Sequence, residues 1–217
     1  HRHFHLSIDQ PGITAGSGHM PGLIIRGILY LLAALFLGEL FASEIELARG
    51  WRPFTEYGYV QVVHSVLLCT GSILLFLKAW RDERYRQLAI SMGLFFVVLS
   101  IRENDQPLEL FLPHGAWKYI ALPFVIALLA HLWNQRYAIR EQLLDWSRTF
   151  SYGVMLSGMF VLVFARLFGR QEIWAQLMGE NYQRVIKNAA EEGAELLALG
   201  LILIAIIEFF FSRRSPQ

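Results

Sequence analysis

Residues 88–105 read LAISMGLFFVVLSIREND, an apolar run that ends at four consecutive polar residues. The apolar part, residues 88–101, has 14 residues, and as an α-helix it covers roughly 21 Å of a hydrocarbon layer about 30 Å thick. The run is too short to cross a membrane alone. We therefore predict that Arg102 to Asp105 end the same helix while still inside the membrane.

The rest of the chain shares this apolar character. Of its 217 residues, 55% are hydrophobic and 17% are charged, and the mean hydropathy is +0.40. Repeated apolar stretches near spanning length predict an all-α, polytopic transmembrane helix bundle with six spans. The spans are predicted at about residues 23–42, 57–78, 87–103, 116–133, 149–168 and 189–211. A single cysteine, Cys69, excludes an internal disulfide, and without a basic block we expect no nucleic-acid partner.

The chain is expected to divide into two segments. Residues 1–20, HRHFHLSIDQPGITAGSGHM, are aperiodic, and we predict a disordered leader or tag-like segment. Residues 21–217 are predicted to form a single six-helix transmembrane domain. With six spans both termini lie on one side, and most of the Lys and Arg residues fall on that side. The asymmetry predicts cytoplasmic termini and a multi-pass protein of the bacterial inner (cytoplasmic) membrane.

Each predicted helix carries an ionisable residue at nearly the same depth. Counted from the cytoplasmic end of each span, these residues lie roughly 21–24 Å deep at about 1.5 Å per residue. They are Glu39, His64, Arg102, Lys118, Arg166 and Glu195. A charge that faces lipid at this depth costs several kcal/mol, so we expect all six to face inward. The layer predicts a charged cavity that opens to the periplasmic side.

The charges of this layer indicate ligand binding. Arg102, Lys118 and Arg166 are predicted to contact an anionic group, with Glu39 and Glu195 as further ligand-binding residues. The expected ligand is a polar small molecule or the head group of a membrane lipid that enters from the outer leaflet.

Other residues near the layer indicate acid–base or metal chemistry. His64 is a catalytic candidate because its unperturbed pKa lies near neutrality, and Glu103 and Asp105 are the accompanying carboxylates. His64, His114 and Glu192 are the predicted ligands of one divalent metal such as Zn²⁺.

The leading hypothesis is an integral inner-membrane protein that binds a polar or lipid head-group ligand. If the protein is an enzyme, it would also process this ligand. Two alternatives stay open. A membrane-embedded, metal-dependent hydrolase would act on a lipid-linked substrate. A structural or accessory protein, with a partner subunit, would use the charges only as buried ion pairs that set helix order.

Two features of packing are also predicted. Residues 106–115, QPLELFLPHG, are apolar and contain two prolines. They are expected either to dip into the membrane interface or to fold over the cavity mouth. Gly153 and Ser157 are four residues apart and predict a small-residue face for close contact with another helix.

Overall fold

The computed structural model describes residues 20–47 and 58–212, and within these ranges every regular element is a helix. The helices are α1 (Met20–Leu47), α2 (Tyr59–Arg81), α3 (Arg86–Glu103), α4 (Asp105–Glu109), α5 (Trp117–Asn134), α6 (Arg136–Trp146), α7 (Phe150–Phe168), α8 (Gln171–Met178) and α9 (Arg184–Phe211). Short 3₁₀ turns, Glu83–Tyr85 and Gly179–Asn181, precede α3 and α9. The predicted leader lies outside the described residues except for its last residue, Met20.

Five segments are long and apolar enough to cross a membrane. They are Ile24–Glu44, Tyr59–Arg81, Glu83–Glu103, Phe150–Phe168 and Arg184–Phe211. The predicted all-helical class is confirmed for the described residues, and the apolar helices are those of a multi-pass membrane protein. The remaining predicted span, at about residues 116–133, coincides with helix α5, which is not among these five, so six spans are not confirmed.

Helices α2 and α9 form the centre of the bundle. Helix α9 packs against α7 on one side and α2 on the other, and α2 packs in turn against α3, which packs against α5. Helix α1 lies against α9 and α2. Leu75, Ile206 and Phe209 are fully buried where these helices meet. Because lipid chains are as apolar as leucine, close packing and hydrogen bonds, rather than transfer out of water, hold such helices together.

Helix α7 approaches the backbone of α9 closely at Gly158. A Cβ at Gly158 would lie 2.7 Å from Cγ1 of Ile202 and 3.1 Å from the carbonyl oxygen of Ala198. Gly153 has no neighbouring atom within 4 Å of its Cβ position, and the Ser157 hydroxyl donates back to the Gly153 carbonyl at 2.9 Å. The predicted contact face at Gly153 and Ser157 is therefore wrong, because these residues point away from α9.

Polar side chains fix both ends of α2. At its start the Glu44 carboxylate accepts hydrogen bonds from the backbone N–H groups of Tyr59 (2.7 Å) and Val60 (3.2 Å), which caps the helix. At its end the buried Lys78 ammonium lies 2.9 Å from Asp82 and donates to the Ser212 carbonyl at 3.2 Å. Lys78 thereby ties the end of α2 to the end of α9.

Candidate functional site

A charged cavity of about 240 Å³ lies at the end of the bundle where α3 ends and α9 begins. Its lining comprises five acidic, four basic and two amide side chains. The residues are Gln61, Arg102, Glu103, Asp105, Arg166, Arg184, Lys187, Asn188, Glu191, Glu192 and Glu195. We call this space the charged cavity. Helices α2, α3, α4, α7 and α9 all contribute to it, so its shape depends on the tertiary packing of the bundle.

Helix α9 supplies more of the lining than any other helix. Arg184, Asn188, Glu191 and Glu195 recur at intervals of three or four residues and so share one face of the helix. Sequence reasoning missed Arg184 and Lys187, because the helix begins at Arg184 and the predicted span began at residue 189. Extending the same three-or-four-residue spacing backwards by one turn would have found both.

His64 lies behind the wall of the charged cavity. Its side chain is 0% exposed, and its Nδ1 is 3.5 Å from Oε1 of Glu103 and 3.6 Å from Oε2 of Glu192. Neither ring nitrogen has a hydrogen-bond partner among the described residues. His64, Glu192 and Glu195 offer donor atoms that all lie within 4.8 Å of one another. One imidazole and two carboxylates at this separation form a donor set suited to a divalent cation.

Arg166 forms ion pairs with two carboxylates of α9. Its Nη1 lies 3.1 Å from Oε1 of Glu195 and 3.4 Å from Oε1 of Glu191. Gly169, one residue past the end of α7, leaves the space that the Glu191 carboxyl group occupies. Lys187 forms a further ion pair with Glu191, one turn along α9. Buried carboxylates need such partners, because removing a charge from water is costly.

A second cavity, of about 300 Å³, adjoins the first. We call it the apolar groove. Its apolar lining residues are Leu68, Leu99, Leu162, Val163, Leu167 and Leu199. It runs between α3 and α7, and the buried Leu68 and Leu199 form its base. The apolar groove and the charged cavity share four lining residues: Arg102, Glu103, Arg166 and Glu195.

The structure brings seven of the predicted site residues together. Six line the charged cavity or its border with the apolar groove, and His64 contacts two of them. The seven are His64, Arg102, Glu103, Asp105, Arg166, Glu192 and Glu195. Their functional roles stay predictions, but their common location agrees with the depth argument.

Glu39 and Lys118 do not line the charged cavity, contrary to the expectation that every helix contributes to it. Leu37 and Phe41 of α1 face Gly200 and Gly193 of α9. Glu39, midway between Leu37 and Phe41, therefore lies on the opposite, exposed face. Lys118 is exposed at the start of α5, whose main packing partner is α3.

His114 also lies apart from the proposed donor set. Its side chain is 95% exposed, and its Nδ1 is 2.8 Å from Oε1 of Glu109. Gly115, with φ of +80°, turns the chain so that its N–H donates to the same oxygen at 3.0 Å. This N–H, followed by His114, holds the pKa of Glu109 below its usual value. His114 closes a surface turn, and the expected pairing of His114 with His64 is wrong.

The segment of residues 106–115 does not cover the charged cavity. Phe111 is 87% exposed, and none of residues 107–113 is among the lining residues. Pro107 lies within the short helix α4. Of the two predicted arrangements, folding over the cavity mouth is wrong, and dipping into the membrane interface stays a prediction.

Comparison with known proteins found no matching family model, no similar curated protein and no similar solved structure. The function is therefore argued from the geometry of the charged cavity and the apolar groove.

Proposed function

We propose that this chain is an integral membrane protein that binds a phospholipid, with the head group in the charged cavity and an acyl chain in the apolar groove. The observation that carries the proposal is that the two spaces share Arg102, Glu103, Arg166 and Glu195. An amphiphilic molecule changes from polar to apolar over a few ångströms, and this lining changes in the same way. A lipid could enter sideways, between α3 and α7.

The charges of the cavity favour a head group that carries both signs. Five carboxylates and four cations line it, so a purely anionic ligand would meet as much repulsion as attraction. A phosphate suits the guanidinium groups, which bind phosphate in a bidentate way, and a primary ammonium suits the carboxylates. Phosphatidylethanolamine has both groups in one head group and is the probe that we choose.

Arg102 is the residue best suited to receive the phosphate. Its Nη1 lies 4.0 Å from the nearest carboxylate oxygen, on Glu103, which is longer than the roughly 2.7–2.9 Å of a charged hydrogen bond. Among the described residues its guanidinium makes no hydrogen bond. Its donors therefore stay available at the border between the charged cavity and the apolar groove.

The proposal includes six spans. His131, in the last turn of α5, lies 3.2 Å from the carbonyl oxygen of Gln87 at the start of α3. Helix α5 therefore runs back along α3, and its 18 residues cover roughly 27 Å. Six spans place both termini on one side, which the Lys and Arg asymmetry assigns to the cytoplasm of a bacterial inner membrane. The charged cavity then opens on the periplasmic side, within reach of the outer leaflet.

Native mass spectrometry of the full chain with dioleoyl phosphatidylethanolamine tests this proposal. We expect one retained lipid per wild-type chain, and a loss of roughly tenfold in retained lipid for Arg102→Gln, about the effect of one charged hydrogen bond. Arg140→Gln is the matched control, because Arg140 is exposed on α6 outside both spaces.

A second pair of variants tests the apolar groove. Val163 lines the groove and Val62 does not, yet both valines are 58% exposed. Val163→Trp should displace the acyl chain and reduce lipid retention, while Val62→Trp should leave it unchanged. Wild-type protein that retains no lipid, or retention that survives both Arg102→Gln and Val163→Trp, would overturn the proposal in favour of structural ion pairs.

A further inference from the structure

We infer that His64, Glu192 and Glu195 form a binding centre for one divalent metal ion, for which Zn²⁺ is the matching probe. The inference rests on the donor geometry and not on lipid binding. It replaces the exposed His114 of the sequence-based ligand set with Glu195, which reaches the same centre from the next turn of α9 beyond Glu192.

The first argument is the unsatisfied state of His64. Its side chain is completely buried, and both ring nitrogens lack a hydrogen-bond partner among the described residues. Among the same residues, Oε2 of Glu192 and Oε1 of Glu195 are buried and accept no well-aligned hydrogen bond, although the Arg166 guanidinium lies 3.1 Å from Oε1 of Glu195. Buried polar atoms nearly always have a hydrogen-bond partner. The long contacts of Nδ1 with the two carboxylates and the lack of any partner for Nε2 in the described part of the chain therefore indicate a further partner for His64.

The second argument is the spacing of the donors. Nδ1 of His64 lies 3.6 Å from Oε2 of Glu192 and 3.5 Å from Oε1 of Glu103. Both distances exceed the roughly 2.7–3.2 Å of a hydrogen bond. They match the separation of about 3.4 Å between two donors that bind one tetrahedral ion at about 2.1 Å. Glu103 is not one of the three donors that lie within 4.8 Å of one another, but it is placed to orient His64 or to hold a water molecule on the metal.

The third argument is the outer layer of contacts that would orient the ligands. The Gln61 amide donates to Oε1 of Glu103 at 3.1 Å, and the Arg166 guanidinium lies 3.1 Å from Oε1 of Glu195. Metal-binding carboxylates usually have such outer partners, which fix their orientation. A 2+ ion would also neutralise the charges of the Glu192 and Glu195 carboxylates. Three protein donors would leave at least one coordination position for water.

Metal analysis of the full chain tests the inference. The detergent-purified protein is stripped with EDTA, loaded with Zn²⁺, desalted and measured by inductively coupled plasma mass spectrometry. We expect wild type to hold one more Zn²⁺ per chain than His64→Gln or Glu192→Gln. His114→Gln is the matched control and should behave as wild type. His1, His3 and His5 are present in every variant, so any zinc that they bind cancels in the comparison.

Thermal unfolding gives a second readout. Zn²⁺ should raise the Tm of wild type and His114→Gln by several degrees, because a ligand that binds only the folded state stabilises it. It should not raise the Tm of Glu192→Gln, which serves as the test if His64→Gln fails to fold. Equal zinc content in wild type and both site variants, with no shift in Tm, would overturn the inference. That result would leave phosphatidylethanolamine retention by wild type intact, so the two proposals can fail separately.

Discussion

Gly158 allows α9 to approach α7 so closely that a Cβ would lie 2.7 Å from Cγ1 of Ile202 and 3.0 Å from its backbone nitrogen. Because Gly158 lacks a side chain, α7, which carries Arg166, can pack closely against α9, which carries the acidic face. This contact lies about two helical turns from Arg166 on α7 and from Glu195 on α9.

Gly158→Ala should therefore destabilise the protein. The added methyl group must move Ile202 or separate the helices, and such overpacking costs about 1–3 kcal/mol. Thermal unfolding in detergent measures the change. Gly153→Ala, on the same helix but without a neighbour within 4 Å, should be neutral or slightly stabilising. Equal Tm values for the two variants would contradict the packing described here.

Glu44 should contribute to stability through the start of α2. Glu44→Ala removes the acceptor of the Tyr59 and Val60 N–H groups, and loss of a helix cap costs about 1–2 kcal/mol. Glu44→Gln keeps an acceptor oxygen and should lose less. The exposed Glu46 is the control, and its replacement by alanine should leave the Tm unchanged. Chemical denaturation in mixed micelles would compare the three variants, and an equal loss for Glu46→Ala would argue against capping.

A double-mutant cycle between Arg166 and Glu195 tests the ion-pair alternative directly. Arg166→Met leaves the buried Glu195 carboxylate without its nearest cation, and Glu195→Met removes the charge altogether. We expect a favourable coupling free energy of roughly 0.5–3 kcal/mol, with the double variant more stable than Arg166→Met. Strict additivity of the two single changes would show that the pair does not contribute to stability.

Acidification should remove the stabilisation of the folded state that Asp145 provides. The Tyr85 hydroxyl donates to this carboxylate and Arg84 lies 2.7 Å from it, and these contacts lower the pKa of Asp145. A lowered pKa means that the folded state favours the ionised form, so the stabilisation is present above the unfolded value of about 3.9. It is lost as the pH falls through the lower folded-state pKa. The Tm difference between wild type and Asp145→Asn should stay constant from about pH 5 to 7 and shrink below about pH 4. A difference that grew on acidification would have the wrong sign.

The depth of each charge could be predicted from the sequence, but its direction around the helix could not. Counting residues along apolar runs placed His64, Arg166 and Glu195 at one level, and the structure brings them together. Glu39 stands at a similar depth by the same count. It faces away because the large side chains of Leu37 and Phe41, not the charge, determine which side of α1 packs on α9.

For a related reason, the sequence predicted only one of the two carboxylates that join His64 in the proposed metal centre, Glu192. The sequence offered His114 as a second imidazole. In the structure the turn at Gly115 places His114 in contact with Glu109 instead. Glu195 was assigned to ligand binding, although its place one turn from Glu192 brings both carboxylates to His64. Which carboxylates meet a given imidazole depends on the packing of α2 against α9, and that relation is not visible within either helix alone.

The Lys78 link to Ser212 has a mechanical consequence. It joins the two central helices at one end, while the charged cavity lies between their other ends. A small rotation about this link would produce its largest separation near Gln61 and Glu192. The separation of α2 and α9 at the charged cavity is therefore the distance that responds most to a change in the Lys78 link.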